Sequence, residues 1–393
     1  MSHQALIIPA PGSPFELGSR PTPKPGPGEV LIKNVTVGLS RVDTMIQTMG
    51  LFVDQGGFPT VAGCEGAGVI EAVGEGVESW KKGDRVLYES FWSPDRMSFQ
   101  EFTIANGGWI SESKNTDKVM KIPPEVSFEE AATIPVGFTT AAVGLYHPRT
   151  VRGGIALTAP WETDGKGKYS GQPAIVIGGS SSVGQFALQL LKASGFSPII
   201  TTASKSNEAY CKAAGATHVI DYHDVPYEEL PAAVKKITSL PVPVVYEATP
   251  TPESQKACLE ILAPNGGYVT TTPVNPEIGK TGEATTDGKW VVWPFGSAVE
   301  GAHLEFGKHM FLGLTDLLKK GDLKPNKVEV VPRGLAGTTD GLLRVLQGVS
   351  GVKLVANISQ TEGEIGVRSF EKYLPPIEPL IRAVYPVGTS LPA

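Results

Sequence analysis

One short stretch strongly limits what this chain can fold into: AIVIGGSSSVGQFALQLLKASG, at residues 174–195. Its first four residues are apolar and predict a buried strand, and two glycines then predict a tight turn. Apolar residues follow at positions 183, 186, 187, 190 and 191, a spacing typical of an amphipathic helix. A strand, a glycine turn and a helix place backbone N–H groups at a helix N-terminus, where an anion is favoured. The stretch therefore predicts a site for the pyrophosphate of a dinucleotide.

The glycines follow a relaxed form of the pattern G-x-G-x-x-G. Gly179 and Gly184 hold the first and last positions, and Ser181 holds the middle one. A serine there keeps the backbone farther from the phosphates, but its hydroxyl can donate a hydrogen bond instead. The alternative is an α/β protein that merely has glycines at a strand–helix turn. The residues predicted to bind the pyrophosphate are Gly179, Ser180, Ser181, Ser182, Val183 and Gly184.

The segment after the next predicted strand bears on which dinucleotide is bound. Sites for NAD usually place an acidic residue about 20 residues beyond the glycines, where it binds the ribose 2′-hydroxyl. No Asp or Glu lies between positions 199 and 207, and a lysine is flanked there by hydroxyls. This composition favours NADP(H), although a solvated surface lysine is the alternative. The predicted contacts to the adenine ribose and its 2′-phosphate are Ser204, Lys205, Asn207 and Tyr222.

Composition excludes several classes of protein. With 393 residues, of which 41% are hydrophobic and 19% charged, the chain is long enough for two cores. The net charge of −6, with no basic block, argues against a nucleic-acid partner. No apolar run is long enough to predict a membrane span, and the N-terminus does not resemble a secretory signal. Three scattered cysteines fit a reducing compartment, so we expect a cytoplasmic protein.

The chain divides by composition into four parts. Residues 1–135 are rich in Gly, Pro and Val and predict a β-rich domain, whereas residues 136–297 alternate strand and helix and predict a doubly wound parallel sheet. Residues 298–360 predict a helix at 301–319 and a return to the first domain, and residues 361–393 form an extension without periodicity. The strands predicted in the two domains are 30–39, 67–76, 84–90, 175–177, 199–202, 218–220, 242–246 and 268–272.

Three ordered segments resemble the medium-chain dehydrogenase/reductase superfamily. They are PTPKPGPGEVLIKNVTVGLSRVD at 21–43, PTVAGCEGAGVIEAVGEGVESWKKGDRV at 59–86 and EEAATIPVGFTTAAVGLY at 129–146. The resemblance covers about residues 5–358 and implies an α/β fold, with a GroES-like β-rich catalytic domain and a Rossmann domain that binds NADP(H). It is to the zinc-free branch of quinone oxidoreductases and enoyl reductases. The serines and SPIITTASKSN at 197–207 are most similar to stand-alone fungal enoyl reductases, including those that act in trans with polyketide synthases.

The positions that hold zinc in metal-dependent relatives carry other residues here. Those relatives place a Cys before an Asp, then a His-Glu pair, then a further Cys. In this chain Ser40 stands three residues before Asp43, and Cys64 precedes Glu65. Residues 138–145 contain no Cys or His, and residues 88–119 lack the cysteines of a structural zinc lobe. Because a zinc site needs at least three protein ligands, we expect no metal and interpret Cys64 as a small buried hydrophobic residue.

The expected lack of zinc bears on the reaction. Without a Lewis acid, reduction of an activated C=C bond suits the scaffold better than alcohol oxidation. Hydride would enter at the β-carbon of an α,β-unsaturated carbonyl, the enolate oxygen would need hydrogen-bond donors, and the α-carbon would take a proton, most simply from water. One alternative is a quinone or alkenal reductase acting on small electrophiles. Another is a protein that binds NADPH without catalysis, and the chain could be a monomer or a homodimer.

The resemblance also implies which residues line the site. Arg41 would bind a phosphate or polarise a carbonyl, or would instead be a surface arginine paired with Asp43. Phe52 stands where some enoyl reductases have a tyrosine proton donor, so no proton donor is assigned. Trp290, Trp293 and Phe295 would form an apolar wall or pack between subunits. The implied contacts are Ser40, Arg41, Val42, Asp43, Phe52, Thr139, Thr140 and Phe295 in the substrate and nicotinamide cleft, and Val355 and Ala356 at the cofactor.

Overall fold

The computed structural model describes residues 1–51, 53, 57–90, 92–107, 119–298, 303–363 and 370. These residues form two compact units. Unit 1 contains Met1–Val136, Pro325–Val349 and the described residues from Lys353 onward, and unit 2 contains Gly137–Lys324 and Ser350–Val352. Residues 303–324, which the sequence analysis assigned to the return segment, lie in unit 2. Among the described residues, no helix has the length and apolar character needed to cross a membrane.

The secondary structure follows the local apolar pattern closely. The strands predicted at 199–202 and 218–220 have the bounds expected, because each is a short run between polar turns. The strands are β1 (Ser2–Ile8), β2 (Glu16–Pro21), β3 (Glu29–Gly38), β4 (Thr60–Val61), β5 (Glu65–Val73), β6 (Arg85–Glu89), β7 (Phe102–Asn106), β8 (Val119–Lys121), β9 (Ala174–Ile177), β10 (Ile199–Thr202), β11 (His218–Ile220), β12 (Val242–Glu247), β13 (Leu262–Thr270), β14 (Glu283–Ala284), β15 (Trp290–Val292), β16 (Val328–Val331) and β17 (Lys353–Asn357).

The helices lie between these strands. Short 3₁₀ turns occur at Lys205–Asn207, Tyr227–Glu229 and Ile358–Gln360. The α-helices are α1 (Arg41–Met49), α2 (Phe128–Ala131), α3 (Pro135–Tyr146), α4 (Ser182–Ala193), α5 (Glu208–Ala214), α6 (Leu230–Ile237), α7 (Pro252–Ile261), α8 (Leu304–Lys320) and α9 (Gly334–Gln347).

Unit 1 is built on two sheets. One has the order β2-β1-β4, and the other has the order β16-β17-β3-β5-β6-β8, with β7 also paired to β3. One core cluster of the larger sheet contains Val30, Ile32, Ile70 and Val86, and residues two apart in a strand, such as Val30 and Ile32, share one face. β17 lies antiparallel to β3 and opposes Val355 to Gly38, so the last strand of the fold meets the residues that precede α1.

Unit 2 is a single sheet in the order β11-β10-β9-β12-β13-β15-β14, parallel except for the pair between β14 and β15. β9 and β10 are buried along their whole length, as expected for central strands of a parallel sheet that helices cover. β13 begins at Leu262 rather than at the predicted position 268, since a bulge pairs Leu262 with Val242 before the regular register resumes at Gly267. The order agrees with the doubly wound fold expected from the sequence.

The close approach of β5 to β3 gives a test of this fold. A Cβ atom on Gly68 would lie 2.2 Å from the backbone oxygen of Lys33, so Gly68→Ala should lower the free energy of unfolding by about 1–3 kcal/mol. Gly18→Ala in β2 is the matched control, since its Cβ would first meet the mobile end of the Ile7 side chain. Urea unfolding of both variants checks this, and equal midpoints would show that the β3–β5 approach is looser than described.

Candidate active site

The glycine turn after β9 is anchored to the next strand. The N–H of Gly178 donates to Thr202 Oγ1 and that of Gly179 to the Thr202 carbonyl, each at 3.0 Å. Gly178 has a φ of +76°, which favours glycine. A Cβ on Gly184 would lie 2.2 Å from the carbonyl oxygen of Gly178, so α4 can only start this close to the turn without a side chain there. The turn therefore directs the N-terminus of α4 to the carboxyl end of β9.

The three serines at this helix end have different roles. Ser181 is the N-cap of α4, and its Oγ accepts a hydrogen bond from the N–H of Gly184 at 3.1 Å. An N-cap acceptor keeps its own O–H to donate outward. Ser180, Ser182 and Val183 are half-buried at the same end. Three hydroxyl groups therefore lie at the positive end of the α4 dipole, and these residues fit the pyrophosphate of a dinucleotide.

The residues predicted around the 2′-phosphate come together after β10. Asn207 Nδ2 donates to Ser204 Oγ at 3.0 Å and to Ser350 Oγ at 2.8 Å. The exposed Lys205 has its backbone N–H bound to Asp221 Oδ2 at 2.7 Å. A Cβ on Gly351 would lie 2.3 Å from Asn207 Oδ1, so the 350–352 segment packs tightly against this loop. The structure therefore places a lysine and a set of hydroxyls at one exposed loop.

Asp221 is a residue of this loop cluster that sequence reasoning missed. It follows β11, the neighbour of β10 in the sheet, and an acidic residue directly after a strand was the available signal. Asp221 Oδ1 accepts from the His223 backbone N–H at 2.9 Å and lies 2.7 Å from His223 Nδ1. Hydrogen bonds from His223, and then from Lys205, lower the pKa of Asp221. These donors therefore hold Asp221 in its charged form and tie the loop backbone to it.

Tyr222 presents an aromatic surface at the same loop cluster. Its side chain is 43% exposed, and its ring centroid lies 4.2 Å from that of His223. A ring exposed to this degree can pack against an adenosine moiety. The contact of Tyr222 with the adenine ribose therefore stays a prediction, now with a defined neighbour in His223.

Unit 1 contains a buried polar cluster formed by Ser40, Asp43, Cys64, Glu65 and Lys353. Lys353 Nζ lies 2.6 Å from Glu65 Oε1, and the two side chains are 7% and 0% exposed. Lys353 Nζ also donates to Ser40 Oγ at 2.7 Å, and Ser40 Oγ donates to Glu65 Oε1 at 2.9 Å. The N–H of Val136 donates to Glu65 Oε2 at 2.9 Å. Each member of the Lys353–Ser40–Glu65 set therefore contacts the other two.

The sequence analysis did not predict Lys353 as a residue of the site. It is the first residue of β17, whose remaining residues in KLVAN are mostly apolar, and a lysine opening a buried strand was the signal. The pairing of β17 with β3 brings it to Ser40, which follows β3 by two residues. A buried ammonium is stabilised by a carboxylate partner, so Lys353 and Glu65 depend on each other.

Asp43 lies on the other side of Ser40 within the polar cluster. Its Oδ2 accepts the Ser40 backbone N–H at 2.8 Å, and a hydrogen bond also joins it to Cys64. Complete burial raises the pKa of Asp43 to about 7, although the Ser40 N–H opposes the shift. Arg41 is exposed, which agrees with the alternative of a surface arginine, but its pairing with Asp43 at the surface does not fit because Asp43 is fully buried.

Other predicted site residues have identifiable contacts. Thr139 is fully buried in α3, and the Thr140 carbonyl accepts from Tyr246 Oη at 3.0 Å, which fixes α3 to β12. Val355 and Ala356 are buried in β17 between β16 and β3. Val42 is half-buried in α1, and Phe52 lies outside the described residues. The roles of these residues stay predictions.

The predicted aromatic wall packs against two arginines of unit 2. The Arg152 guanidinium lies 3.9 Å from the ring centroid of Trp293 and 6.0 Å from that of Phe295. Arg149 lies 5.6 Å from the ring of Trp290, whose Nε1 donates to the Gly154 carbonyl at 3.0 Å. These aromatic side chains are therefore held in place by cation–π contacts along the segment that follows α3.

Comparison with known proteins agrees with this geometry. Residues 26–123 match the family described as Alcohol dehydrogenase GroES-like domain, and residues 182–278 match the family described as Zinc-binding dehydrogenase. The "Trans-enoyl reductase tndF" of Aspergillus flavipes is 34% identical over 379 residues, which is 90% of this chain and 98% of the relative.

Solved structures share the fold along nearly the whole chain. The "CurK enoyl reductase" superposes with a TM-score of 0.64 at 22% identity, covering 90% of this chain and 99% of that one. A quinone oxidoreductase from Coxiella burnetii superposes with a TM-score of 0.66 at 22% identity, with the same coverage. At these identities the likeness establishes the fold alone.

The zinc in the name of one matched family does not fit the polar cluster. In the described part of the chain, no group of three or more His, Cys, Asp or Glu side chains could hold a metal ion. Burial raises the pKa of the Cys64 thiol well above its usual value, whereas a metal ligand must be a thiolate. The Lys353 ammonium at Ser40 and Glu65 would also repel a dication. We therefore derive no step through zinc.

The raised pKa of Asp43 predicts a specific dependence of stability on pH. Between the ordinary pKa of 3.8 and the folded value of about 7, the unfolded chain loses this proton while folded Asp43 keeps it. Stability should therefore fall as pH rises through this window, and the wild type should lose stability relative to Asp43→Asn. Unfolding measured from pH 4 to 8 checks this.

The matched control for this measurement is Asp316→Asn on the exposed face of α8. Glu247, whose pKa burial also raises to about 7, is present in every variant and cancels in the comparison. Parallel pH curves for the wild type and Asp43→Asn would contradict the assignment of a protonated, buried Asp43.

Proposed function

The chain belongs to the medium-chain dehydrogenase/reductase superfamily, and from this we propose that it reduces the C=C bond of an α,β-unsaturated carbonyl compound with NADPH. The observation that carries the proposal is the 34% identity to a trans-enoyl reductase along almost the full length of both chains. The resemblance to this superfamily that the sequence predicted is thereby confirmed. The combination of GroES-like and Rossmann-type domains, also expected, is confirmed as well.

The residues of unit 2 would bind and orient the cofactor. When bound, NADPH supplies the hydride and leaves the protein to position the reacting groups. The N-terminus of α4, with Ser180, Ser181 and Ser182, would hold the pyrophosphate. Lys205 and Ser204 would bind the 2′-phosphate, and Asp221 would hold the backbone of Lys205 in place. Fixed donors of this kind bind charge without reorganisation.

The residues of unit 1 would act on the substrate carbonyl. The polar cluster offers a hydroxyl and an ammonium, and both are hydrogen-bond donors. Donors of this type suit the negative charge that develops on the carbonyl oxygen when hydride adds to the β-carbon. We therefore infer a reaction that needs no metal, with water supplying the proton to the α-carbon.

The substrate class follows from the relatives. Because the relative of Aspergillus flavipes is named a trans-enoyl reductase, we infer that this chain acts on an enoyl thioester carried by a separate synthase, in the manner of a polyketide synthase partner. The three cysteines are buried thiols, which fits a reducing compartment, so we place the enzyme in the cytoplasm.

Cofactor preference is tested at Lys205. We expect NADPH to bind wild type at least about tenfold more tightly than NADH, because losing one charged phosphate contact costs about 1.5–3 kcal/mol. Lys205→Ala should lose this preference and leave NADH binding unchanged. Lys212→Ala, on α5 and paired with Glu208, is the control for a general loss of positive charge. Equal NADPH affinity in wild type and Lys205→Ala would remove Lys205 from the site.

The reaction is tested by following the hydride. With NADPH deuterated at the transferred position and an α,β-unsaturated acyl thioester, deuterium should appear at the β-carbon of the saturated product. Mass spectrometry and NMR locate the label, and activity should survive a metal chelator. Deuterium at the carbonyl carbon would instead show carbonyl reduction. Turnover of small quinones alone would favour the quinone reductase, and NADPH binding without turnover would favour the non-catalytic alternative.

A further inference from the structure

We propose that the Ser40 hydroxyl donates the hydrogen bond that stabilises the substrate's carbonyl oxygen during reduction, and that Lys353 is the positioning residue that polarises this hydroxyl. The inference rests on the proposed function and deepens it. It assigns Ser40 as a catalytic donor and Lys353 as the residue that positions it. The sequence placed Ser40 only among several residues lining the cleft and did not single out Lys353.

The contacts of Ser40 Oγ carry the first step. It accepts a hydrogen bond from the Lys353 ammonium at 2.7 Å while its own proton points to Glu65 Oε1 at 2.9 Å. A hydroxyl that accepts from a cation becomes a better donor, because hydrogen bonds in a chain polarise one another. Ser40 therefore differs from an ordinary surface serine, since a buried positive charge lies directly behind its oxygen.

Glu65 can lose its hydrogen bond from the Ser40 hydroxyl and still keep other partners. Its Oε1 still lies 2.6 Å from the Lys353 ammonium, and its Oε2 still accepts the Val136 N–H at 2.9 Å. Rotation of the Ser40 hydroxyl toward a ligand would thus remove one of three contacts to a fully buried carboxylate. A buried acceptor that kept no partner would make the same rotation costly.

The backbone around Ser40 fixes where the hydroxyl lies. Its N–H is bound by Asp43 Oδ2 at 2.8 Å, and Ser40 is the N-cap of α1. The preceding Leu39 donates its N–H to the Leu354 carbonyl at 3.0 Å, beside Lys353 in β17. Ser40 and Lys353 are therefore held by neighbouring backbone positions, so the position of the Ser40 oxygen is fixed before substrate binds and only its O–H must rotate.

Exposure indicates which members of the cluster a ligand can reach. Measured over the whole residue, Ser40 is 7% exposed and Lys353 is 6% exposed, whereas Asp43 and Glu65 are completely buried. Most of the small remaining exposure of the cluster therefore belongs to the residues that carry its donors, and its carboxylates lie inside. Electrostatic interactions at such a position are stronger than in bulk water because the local dielectric constant is low.

The proposed step adds one hydride and one proton across the C=C bond of the substrate. Hydride supplied by bound NADPH would form a bond to the β-carbon, and the electrons of the C=C bond would move so that negative charge develops on the carbonyl oxygen. The Ser40 O–H donates to that oxygen and keeps its proton. The α-carbon would then take a proton from water, so the products would be the saturated carbonyl compound, NADP⁺ and a hydroxide ion that the solvent neutralises.

The first experiment compares Ser40→Ala with Ser40→Thr. Ser40→Ala should lower kcat by about 100- to 1000-fold, the usual loss for one oxyanion donor, with no change in NADPH affinity. The primary isotope effect from deuterated NADPH should rise, because hydride transfer becomes slower than the other steps. Ser40→Thr, which keeps a hydroxyl, should restore part of kcat. Wild-type kcat and an unchanged isotope effect in Ser40→Ala would overturn the proposal.

The second experiment tests Lys353. Lys353→Met leaves Glu65 without its cation and is strongly destabilising, so the variant Glu65→Gln/Lys353→Met removes both charges together. This folded double variant should lose kcat and show the raised isotope effect, and Lys353→Arg should retain more activity. Thermal unfolding establishes that each protein is folded. A double variant with wild-type kcat and isotope effect would overturn the role of Lys353.

A third measurement separates this inference from the proposed function. The stretching frequency of a ¹³C-labelled carbonyl in a bound saturated thioester reports a hydrogen bond without turnover. It should be lower in wild type than in Ser40→Ala, and equal frequencies would overturn the inference. If wild type reduces no enoyl thioester, the proposed function fails, while this frequency still decides whether Ser40 donates to a carbonyl.

Discussion

The buried ion pair between Lys353 and Glu65 is the interaction on which the arrangement of unit 1 depends. Both charged groups have almost no contact with solvent, so each is tolerated only because the other is present. The pair joins the first residue of β5 to the first residue of β17, which are far apart in the chain. Through Ser40 it also fixes the start of α1. Three distant segments are therefore brought together by one electrostatic requirement, and the proposed donor lies where they meet.

Unit 2 has a different structural requirement, because a pyrophosphate is bound chiefly by backbone and hydroxyl groups. Here the requirement is close approach, and it explains the glycines individually. Gly184 must lack a Cβ for α4 to lie against the Gly178 carbonyl, and Gly351 must lack one to lie against Asn207. The segment 350–352 belongs to unit 2 although the residues on both sides of it belong to unit 1. The loop around Lys205 is thus supported by a short piece of chain that follows α9.

The local parts of this fold could be predicted from the sequence, and the pairing between elements could not. Short runs rich in β-branched residues between turns located β10 and β11, because such residues favour strands. The glycine turn was likewise recognisable from its own residues. Lys353 and Asp221 were missed because the contacts of each depend on which strands are neighbours in a sheet. Lys353 begins β17, which lies beside β3, and Asp221 follows β11, which lies beside β10. Arg41 and Asp43 were candidates for a surface pair, but the helix directs them to opposite environments, one exposed and one buried.

The charge of the polar cluster also favours one kind of reaction. Lys353 carries one positive charge, and Glu65 beside it carries a negative charge, so the pair as a whole is close to neutral. Such a group stabilises an anion through a directed hydrogen bond more than through net charge. An alkoxide concentrates its charge on one oxygen and requires strong stabilisation, as a dication provides. An enolate spreads its charge over oxygen and carbon and requires less. A polarised serine is therefore matched to the reduction of a conjugated carbonyl, because the conjugation itself carries part of the charge that a metal would otherwise have to stabilise.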